Sequence, residues 1–191
     1  MRFTETSIAG AYLIQLQPSH DERGWFVRTW CREEFAAHGL DFRIEQCASA
    51  YNDRAGTLRG LHYQVAPHEE HKLVRCVRGS VYDVIVDLRP DSASFGRWSA
   101  ARLTANGPML YVPAGCAHGY WTLEDGSELS YQMSAPHHPA SSRGIRWNDS
   151  TLAISWPAQA PVVISKRDTE LPLCELANVT ARKPQPTGAS V

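Results

Sequence analysis

Little in this chain stands out by excess, and what it lacks narrows the field. No apolar run approaches the ~20 residues needed to span a bilayer. Residues 1–17 hold only short apolar pieces and no signal-peptide core. Charge of neither sign dominates, with 19 Lys+Arg against 20 Asp+Glu and a formal net charge of -1. That balance argues against a general nucleic-acid binder, while still allowing a few arginines to converge in one cleft. Cysteine is sparse and scattered: Cys31, Cys47, Cys76, Cys116 and Cys174 are odd in number and include no CxxC pair. Small buried or half-buried thiols are expected, not a disulfide framework or a zinc site. Internal repeats are absent and helical periodicity is scarce. The expectation is a soluble cytoplasmic protein with neither a nucleic-acid nor a membrane partner.

What is present is enough apolar residue, 43% of 191, for one continuous core. Residues 1–177 read as a single unit, and 178–191, polar with two prolines, as a loose tail. Short strands are expected at 74–77, 80–88, 97–103, 109–112, 120–123 and 129–133. They are separated by turn signals such as Arg78-Gly79, Asn106-Gly107-Pro108 and Asp125-Gly126. Within 80–88, Val81, Asp83, Ile85 and Asp87 share one face, and Tyr82, Val84, Val86 and Leu88 share the other. Two carboxylates among aliphatics make an odd face for simple burial. Helix is expected over 32–38, closed by Gly39, with a short turn or two within 165–176. Strands spaced roughly ten residues apart point to an all-β sandwich or barrel, read here as a jelly roll with a few short helices.

One spacing sharpens that reading. Gly107, Pro113, Gly115 and His118 form Gly-x5-Pro-x-Gly-x2-His, which resembles the second half of the cupin signature. The signature ends in an Asn four residues later, where this chain has Thr122. Its first half would supply His-x-His and a Glu as metal ligands. Here His62 is followed by Gln64 in place of the second His, and Lys72 stands where the Glu would be. A neutral amide and an ammonium cannot replace two ligands of a divalent ion, so a barrel site without metal or other cofactor is expected. His68 and His71 could substitute, but 67–71 (Pro-His-Glu-Glu-His) reads more simply as a solvated turn.

The chain as a whole resembles the dTDP-4-dehydrorhamnose 3,5-epimerase family of nucleotide-sugar epimerases, over about 19–173. The resemblance is carried by Asp21-Glu22-Arg23-Gly24, Leu58-Arg59-Gly60-Leu61-His62-Tyr63-Gln64, Lys72-Leu73-Val74-Arg75, Phe95-Gly96-Arg97-Trp98, Pro113-Ala114-Gly115-Cys116-Ala117-His118-Gly119, Arg143-Gly144-Ile145-Arg146-Trp147 and Ser165-Lys166-Arg167-Asp168. It implies an epimerase that inverts C3 and/or C5 of a nucleotide-diphospho-4-keto-6-deoxy sugar through an enolate. His62 is then the base and Asp168 its partner, Tyr131 the acid, and Lys72 the cation that holds the enolate. Arg23, Phe26, Gln46, Arg59, His118 and Arg167 would bind substrate. The resemblance further implies a homodimer whose N-terminal strands cross to the partner, so that Arg23 and Phe26 serve the neighbouring pocket. The chemistry suits these residue types: imidazole exchanges protons near neutrality, a phenol is a neutral donor at pH 7, and guanidinium forks onto phosphate.

The chain departs from the family's pattern at Arg28, Ala48, Gln132, Pro136-His137 and Ser142. Those departures imply a changed substrate or reaction at one carbon only. Asp83 and Asp87 could tune Lys72 or pair with arginines. The rival readings are a single-site epimerase on another nucleotide sugar, a metal-dependent cupin oxygenase or isomerase using His62, His118 and a third ligand, and a non-catalytic sugar-nucleotide binding module.

Overall fold

The structure, a computed structural model, describes residues 1–40 and 42–174. The tail expected over 178–191 lies outside the described residues. Strands β1 (Arg2–Glu5) and β2 (Tyr12–Gln15) are followed by a hairpin of β3 (Ser19–Asp21) and β4 (Gly24–Phe26). Helix α1 (Arg32–Ala36) ends two residues before the expected His38. Glu33 and Glu34 lie in its first turn, where negative charge suits the helix dipole. Gly39 then takes a left-handed conformation at φ +72°. The body follows: β5 (Gln46–Asn52), β6 (Thr57–Gln64), β7 (Lys72–Arg78), β8 (Ser80–Asp87), β9 (Trp98–Thr104), β10 (Met109–Val112), β11 (Cys116–Thr122) and β12 (Ser127–Met133). Two short strands, β13 (Ser142–Gly144) and β14 (Val163–Ile164), precede α2 (Lys166–Thr169).

Each expected strand is present, 109–112 with the ends expected and the others with shifted ends. The largest shift is at β11, which starts at Cys116 instead of 120, so that His118 lies inside the strand. Thr122, at the position of the signature's Asn, stitches the fold: its Oγ1 accepts the Thr57 N–H at 2.9 Å and donates to the Arg54 carbonyl at 2.8 Å.

The first sheet has the order β1-β2-β10-β7-β12-β5, and the second β13-β6-β11-β8-β9, with β14 pairing parallel to β6. This is the expected cupin-type jelly roll with short helices. Its two sheets remain separate open ladders. Strand alternation distributes the apolar residues over three layers. Between the sheets lie Val74, Cys76, Leu110, Val112 and Leu129 from the first and Val81, Ile85, Leu103 and Tyr120 from the second. Outside the first sheet, Ile14, Phe35, Phe42, Leu73 and Tyr111 pack beneath α1. Outside the second, Leu61, Val84, Val86 and Ala117 are covered by Ile145 and Leu152.

The odd face of β8 is therefore the inter-sheet face, and its carboxylates are fully buried. Burial is tolerated because each is paired. Asp87 accepts from Arg89 Nε at 2.8 Å and Nη2 at 2.7 Å, and from the hydroxyls of Ser92 and Ser94, both at 2.5 Å. Asp83 meets His118, not an arginine. All five cysteines are free; Cys47 is exposed, against the expectation of buried or half-buried thiols, because β5 is the outermost strand of its sheet.

Candidate active site

The sheets part at the end bounded by β5, β12 and β7 on one side and β6 and β11 on the other, enclosing a cavity of about 620 Å³. Of the sequence-predicted residues, His62, Lys72, Tyr131, Asp168, Gln46, Arg59, His118 and Arg167 line it. Arg23 and Phe26 do not. They stand on the β3–β4 hairpin, where Arg23 pairs with Asp21 and Phe26 is 79% exposed.

A local irregularity brings Arg59 and His62 to the same cavity. Three residues apart on a regular strand they would point to opposite faces. Opposite β11, however, His62 pairs with His118 and Arg59 with Tyr120, so three steps on β6 match two on β11. This is the geometry of a β-bulge, which re-aims a side chain. Gly60 makes it possible: its φ is +132°, and a Cβ there would come within 2.5 Å of Gly119 Cα. Gly119 reciprocates, since its own Cβ would meet the Arg59 carbonyl at 2.7 Å.

Asp168 reaches His62 across a separation of 106 residues. Ser165 N-caps α2, its side chain accepting the Asp168 N–H at 3.1 Å, and the carboxylate then faces β6. Asp168 Oδ1 lies 2.8 Å from His62 Nε2, and Oδ2 accepts the Gly60 N–H at 3.1 Å. Burial opposes the charge on Asp168, but the bonds from His62 and Gly60 outweigh it and hold its pKa below the usual carboxylate value. The carboxylate is thus an acceptor only. In the neutral ring, Nε2 is then the nitrogen that donates to Asp168 and Nδ1 the one with a lone pair.

Lys72 is buried at the start of β7. Its ammonium lies 3.2 Å from Glu70 and donates to the His62 carbonyl at 3.4 Å. One of its three N–H groups is then left for a ligand. Glu70 is half-buried, and 67–71 is not simply the expected solvated turn. His68 bonds Ser141 at 2.9 Å and stacks on His138, and His71 lies 2.8 Å from the Tyr111 hydroxyl. The segment is a cross-brace that carries Glu70 to Lys72.

Tyr131 comes from β12, across the cavity, and its ring meets His118 edge-on at 6.0 Å between centroids. Burial raises its pKa well above the ordinary phenol value, and Tyr120 and Asp83 push it further. His118 is itself fixed by Asp83, at 2.9 and 3.0 Å. Burial raises the pKa of Asp83, while His118 and Lys72 pull it back only in part. Arg59 commits Nε to Asn52 Oδ1 at 2.9 Å and Nη2 to the Tyr51 carbonyl at 3.2 Å. Gln46 accepts the His137 N–H at 3.0 Å.

The metal that a cupin site can hold does not fit these donors. The Gln64 amide is used up as a brace, with Nε2 bonded to His68, Glu70 and Pro136 and Oε1 to the His138 N–H. Lys72 brings a cation to a second ligand position. Among the described residues no group of three His, Cys, Asp or Glu side chains is disposed to hold an ion. Of the departures, Ala48, His137 and Ser142 line the cavity; Ser142 accepts from Arg167 at 3.1 Å. Arg28 pairs instead with Glu34, and Gln132 points away from the cavity. Sequence reasoning missed Glu70, Asn52 and Tyr120. Only the Gly60 interruption of a strand pattern signalled that neighbours of His62 would share its pocket.

An imidazole oriented by a carboxylate, opposed by a half-buried phenol and flanked by an ammonium, is an apparatus for moving protons at carbon; on a jelly roll it defines a cupin-fold isomerase. The chain belongs to the dTDP-4-dehydrorhamnose 3,5-epimerase family, whose model matches residues 5–175. It is similar to the dTDP-4-dehydrorhamnose 3,5-epimerase of Sinorhizobium fredii (strain NBRC 101917 / NGR234), 39% identical over 92% of this chain and 91% of that protein. The crystal structure of the Bacillus anthracis dTDP-4-dehydrorhamnose 3,5-epimerase with TDP and PPi bound matches with a TM-score of 0.87 and 36% identity, covering 91% of this chain and 99% of that one. A 3'-monoepimerase from Streptomyces bikiniensis in complex with dTDP-quinovose matches with a TM-score of 0.81 and 34% identity, covering 88% and 85%.

Proposed function

We propose that this enzyme, of the isomerase class, inverts C3 and/or C5 of a nucleotide-diphospho-4-keto-6-deoxy sugar in deoxysugar biosynthesis. The observation that carries the reading is the His62–Asp168 pair at 2.8 Å, opening onto a cavity shared with Tyr131 and Lys72. Protons next to the C4 carbonyl are acidic. His62 Nδ1 removes one, and Asp168 stabilises the imidazolium that forms. The free N–H of Lys72 meets the enolate oxygen as charge develops there. Tyr131 returns a proton from the other side, since it and His62 belong to facing sheets. Arg59 and Arg167 take the diphosphate, with Gln46 and His118 against the sugar and nucleotide.

A homodimer goes with this reading. An isolated two-stranded hairpin is marginal alone, and β3–β4 exposes Trp25 by 52% and Phe26 by 79%. In that dimer the hairpin covers a second copy, and Arg23 and Phe26 complete its pocket. Mixing Arg23→Ala with His62→Ala protein should then restore activity that neither possesses alone. The five free cysteines suit a reducing cytoplasmic setting. A one-carbon reaction is favoured to the extent that Ala48, His137 and Ser142 reshape the pocket wall.

The test is to incubate the protein with several nucleotide 4-keto sugars in D2O and locate deuterium by NMR. Deuterium at C3, C5 or both, with inversion, is expected. Absence of exchange from every such sugar would leave a binding module.

A further inference from the structure

Among the described residues, two carboxylates line the cavity, Asp168 and Glu70, and the proposed reaction uses only the first. Glu70 lies just before β7. The residue as a whole is half-buried, but its side chain is only 9% exposed. Its two oxygens have different partners. Oε1 lies 3.2 Å from Lys72 Nζ, and Oε2 accepts from Gln64 Nε2 at 3.2 Å. Gln64 is buried, and its amide joins separate segments of the chain. Nε2 also donates to the carbonyls of His68 at 3.0 Å and Pro136 at 3.2 Å, and Oε1 accepts the His138 N–H at 2.6 Å. The rings of His68 and His138 stack at 3.5 Å between centroids. The loop before β7 and the loop before β13 are thus tied through one amide, and Glu70 is the side chain that this frame presents to Lys72.

Lys72 needs such a partner. Its ammonium sits at the end of a flexible stem, and its side chain is 10% exposed, so protein groups more than water set its direction. Its second acceptor, the His62 carbonyl, is at 3.4 Å, near the far limit of a hydrogen bond. The third N–H is the one that meets the enolate oxygen in the proposed reaction. We propose that Glu70 is the positioning residue for Lys72. Together with the His62 carbonyl it fixes the rotation of the ammonium, so that the third N–H is already aimed when charge develops at the C4 oxygen. The inference rests on the proposed epimerase reaction, in which Lys72 holds the enolate. Asp168 and Glu70 then have parallel tasks: one orients the base, the other orients the cation, and neither passes a proton to the sugar. Orientation matters here because a misplacement of about 1 Å can cost ~10²-fold in rate, and a donor stabilises developing charge best when it is preorganised. The Pro136-His137 departure falls within the same frame, since the Pro136 carbonyl is one of the acceptors that hold Gln64.

The experiment follows deuterium exchange from D2O into nucleotide 4-keto sugars for wild type, Glu70→Ala, Glu70→Gln, Lys72→Met and the Glu70→Ala/Lys72→Met double variant. In Glu70→Ala, kcat for exchange should fall about 10- to 100-fold with KM within about two-fold, because the loss is felt as charge develops. Glu70→Gln, whose amide oxygen still accepts, should recover part of it. In Lys72→Met the fall should be about 10²–10³. Adding Glu70→Ala to it should change the rate by less than about two-fold, because a residue that acts through Lys72 has nothing left to position. A merely structural role would cost the same in either background. A second measurement needs no substrate. The Lys72 ammonium should give a slowly exchanging proton–nitrogen NMR signal in wild type that is lost in Glu70→Ala and kept in Glu70→Gln. Undiminished exchange in Glu70→Ala, additive losses in the double variant, or an ammonium signal indifferent to Glu70 overturns the inference. Failure of the function itself looks different: wild type then exchanges no proton from any such sugar, and the ammonium signal still decides whether Glu70 positions Lys72.

Discussion

Two histidine–carboxylate pairs lie side by side in this molecule, one spanning 106 residues and the other 35, and bond length barely tells them apart. His62 and His118 are directly paired residues on adjacent strands. Each presents Nε2 to a buried aspartate, at 2.8 Å from Asp168 in one case and 2.9 Å from Asp83 in the other. They differ in what surrounds the carboxylate. Asp168 has a backbone N–H and an imidazole 35% open to the cavity, and its pKa is lowered. Asp83 has a histidine only 5% exposed and an apolar inter-sheet layer, and its pKa is raised. One pair keeps a charged acceptor behind a reachable base. The other is a wall against which Tyr131 and Tyr120 pack. Burial decides between them more than the bond does.

That contrast can be broken outright at His62. In His62→Ala, proton exchange should fall by ~10²–10⁴ while nucleotide binding persists, as expected for loss of a positioned base. Near-normal exchange in the folded variant would make the two pairs equivalent walls. Next in size is Tyr131→Phe. It should still exchange at one carbon or more, because His62 can return a proton on its own face, but inversion should drop by about 10². Normal inversion would demote Tyr131 to packing and point to His137 or water as the acid.

The pairs themselves are compared through acid stability. Asp168, with a native pKa below its unfolded value, adds stability that is complete above the unfolded carboxylate pKa of ~3.9 and is lost as pH falls through the native one. Asp83 is reversed. Its native pKa lies above the unfolded one, so acidification from neutrality through that raised pKa recovers stability, until ~3.9 is reached. Against Asp168→Asn, wild type should lose its advantage on acidification; against Asp83→Asn it should gain, each by about 1.4 kcal/mol per unit of pKa difference. Urea midpoints from neutral to acid pH measure both, and parallel trends would erase the distinction. The smallest expected effect is none at all. Exhaustive chelation should leave activity intact, because Gln64 and Lys72 occupy ligand positions without serving as ligands. Stoichiometric metal whose removal abolishes turnover would overturn this.

Much of the chemistry was legible because it is carried by side-chain type. Lys72 in place of a carboxylate and Gln64 in place of a histidine are visible as letters, and they point away from metal before any coordinate is known. The strands β8, β10 and β12 follow from alternation and turn residues. The order of motifs from Arg23 to Asp168 identifies the family. Other features were hidden. Glu70 sits in a Pro-His-Glu-Glu-His segment whose composition suggests solvent, yet it is held against Lys72 by braces from β6 and from the loop before β13. Asp83 offered two partners by reasoning and took a third, since only the sheet order sets β8 beside β11.

The sequence by itself determined the inventory: an imidazole, a phenol, an ammonium, two carboxylates and several guanidinium groups, on a chain whose alternation and turns commit it to a β fold. Side-chain chemistry and local periodicity need no distant contact. The tertiary structure alone decided which of these meet. It bulged β6 at Gly60 so that Arg59 and His62 face one cavity, brought Asp168 to His62 through a four-residue helix, and tied Tyr120 and Arg59 to one oxygen of Asn52. It left the hairpin bearing Arg23 and Phe26 outside the cavity. The reason is physical. Register, bulge and burial arise from non-local pairing, in which one extra residue reverses the direction of a side chain, and no window of neighbouring letters records that.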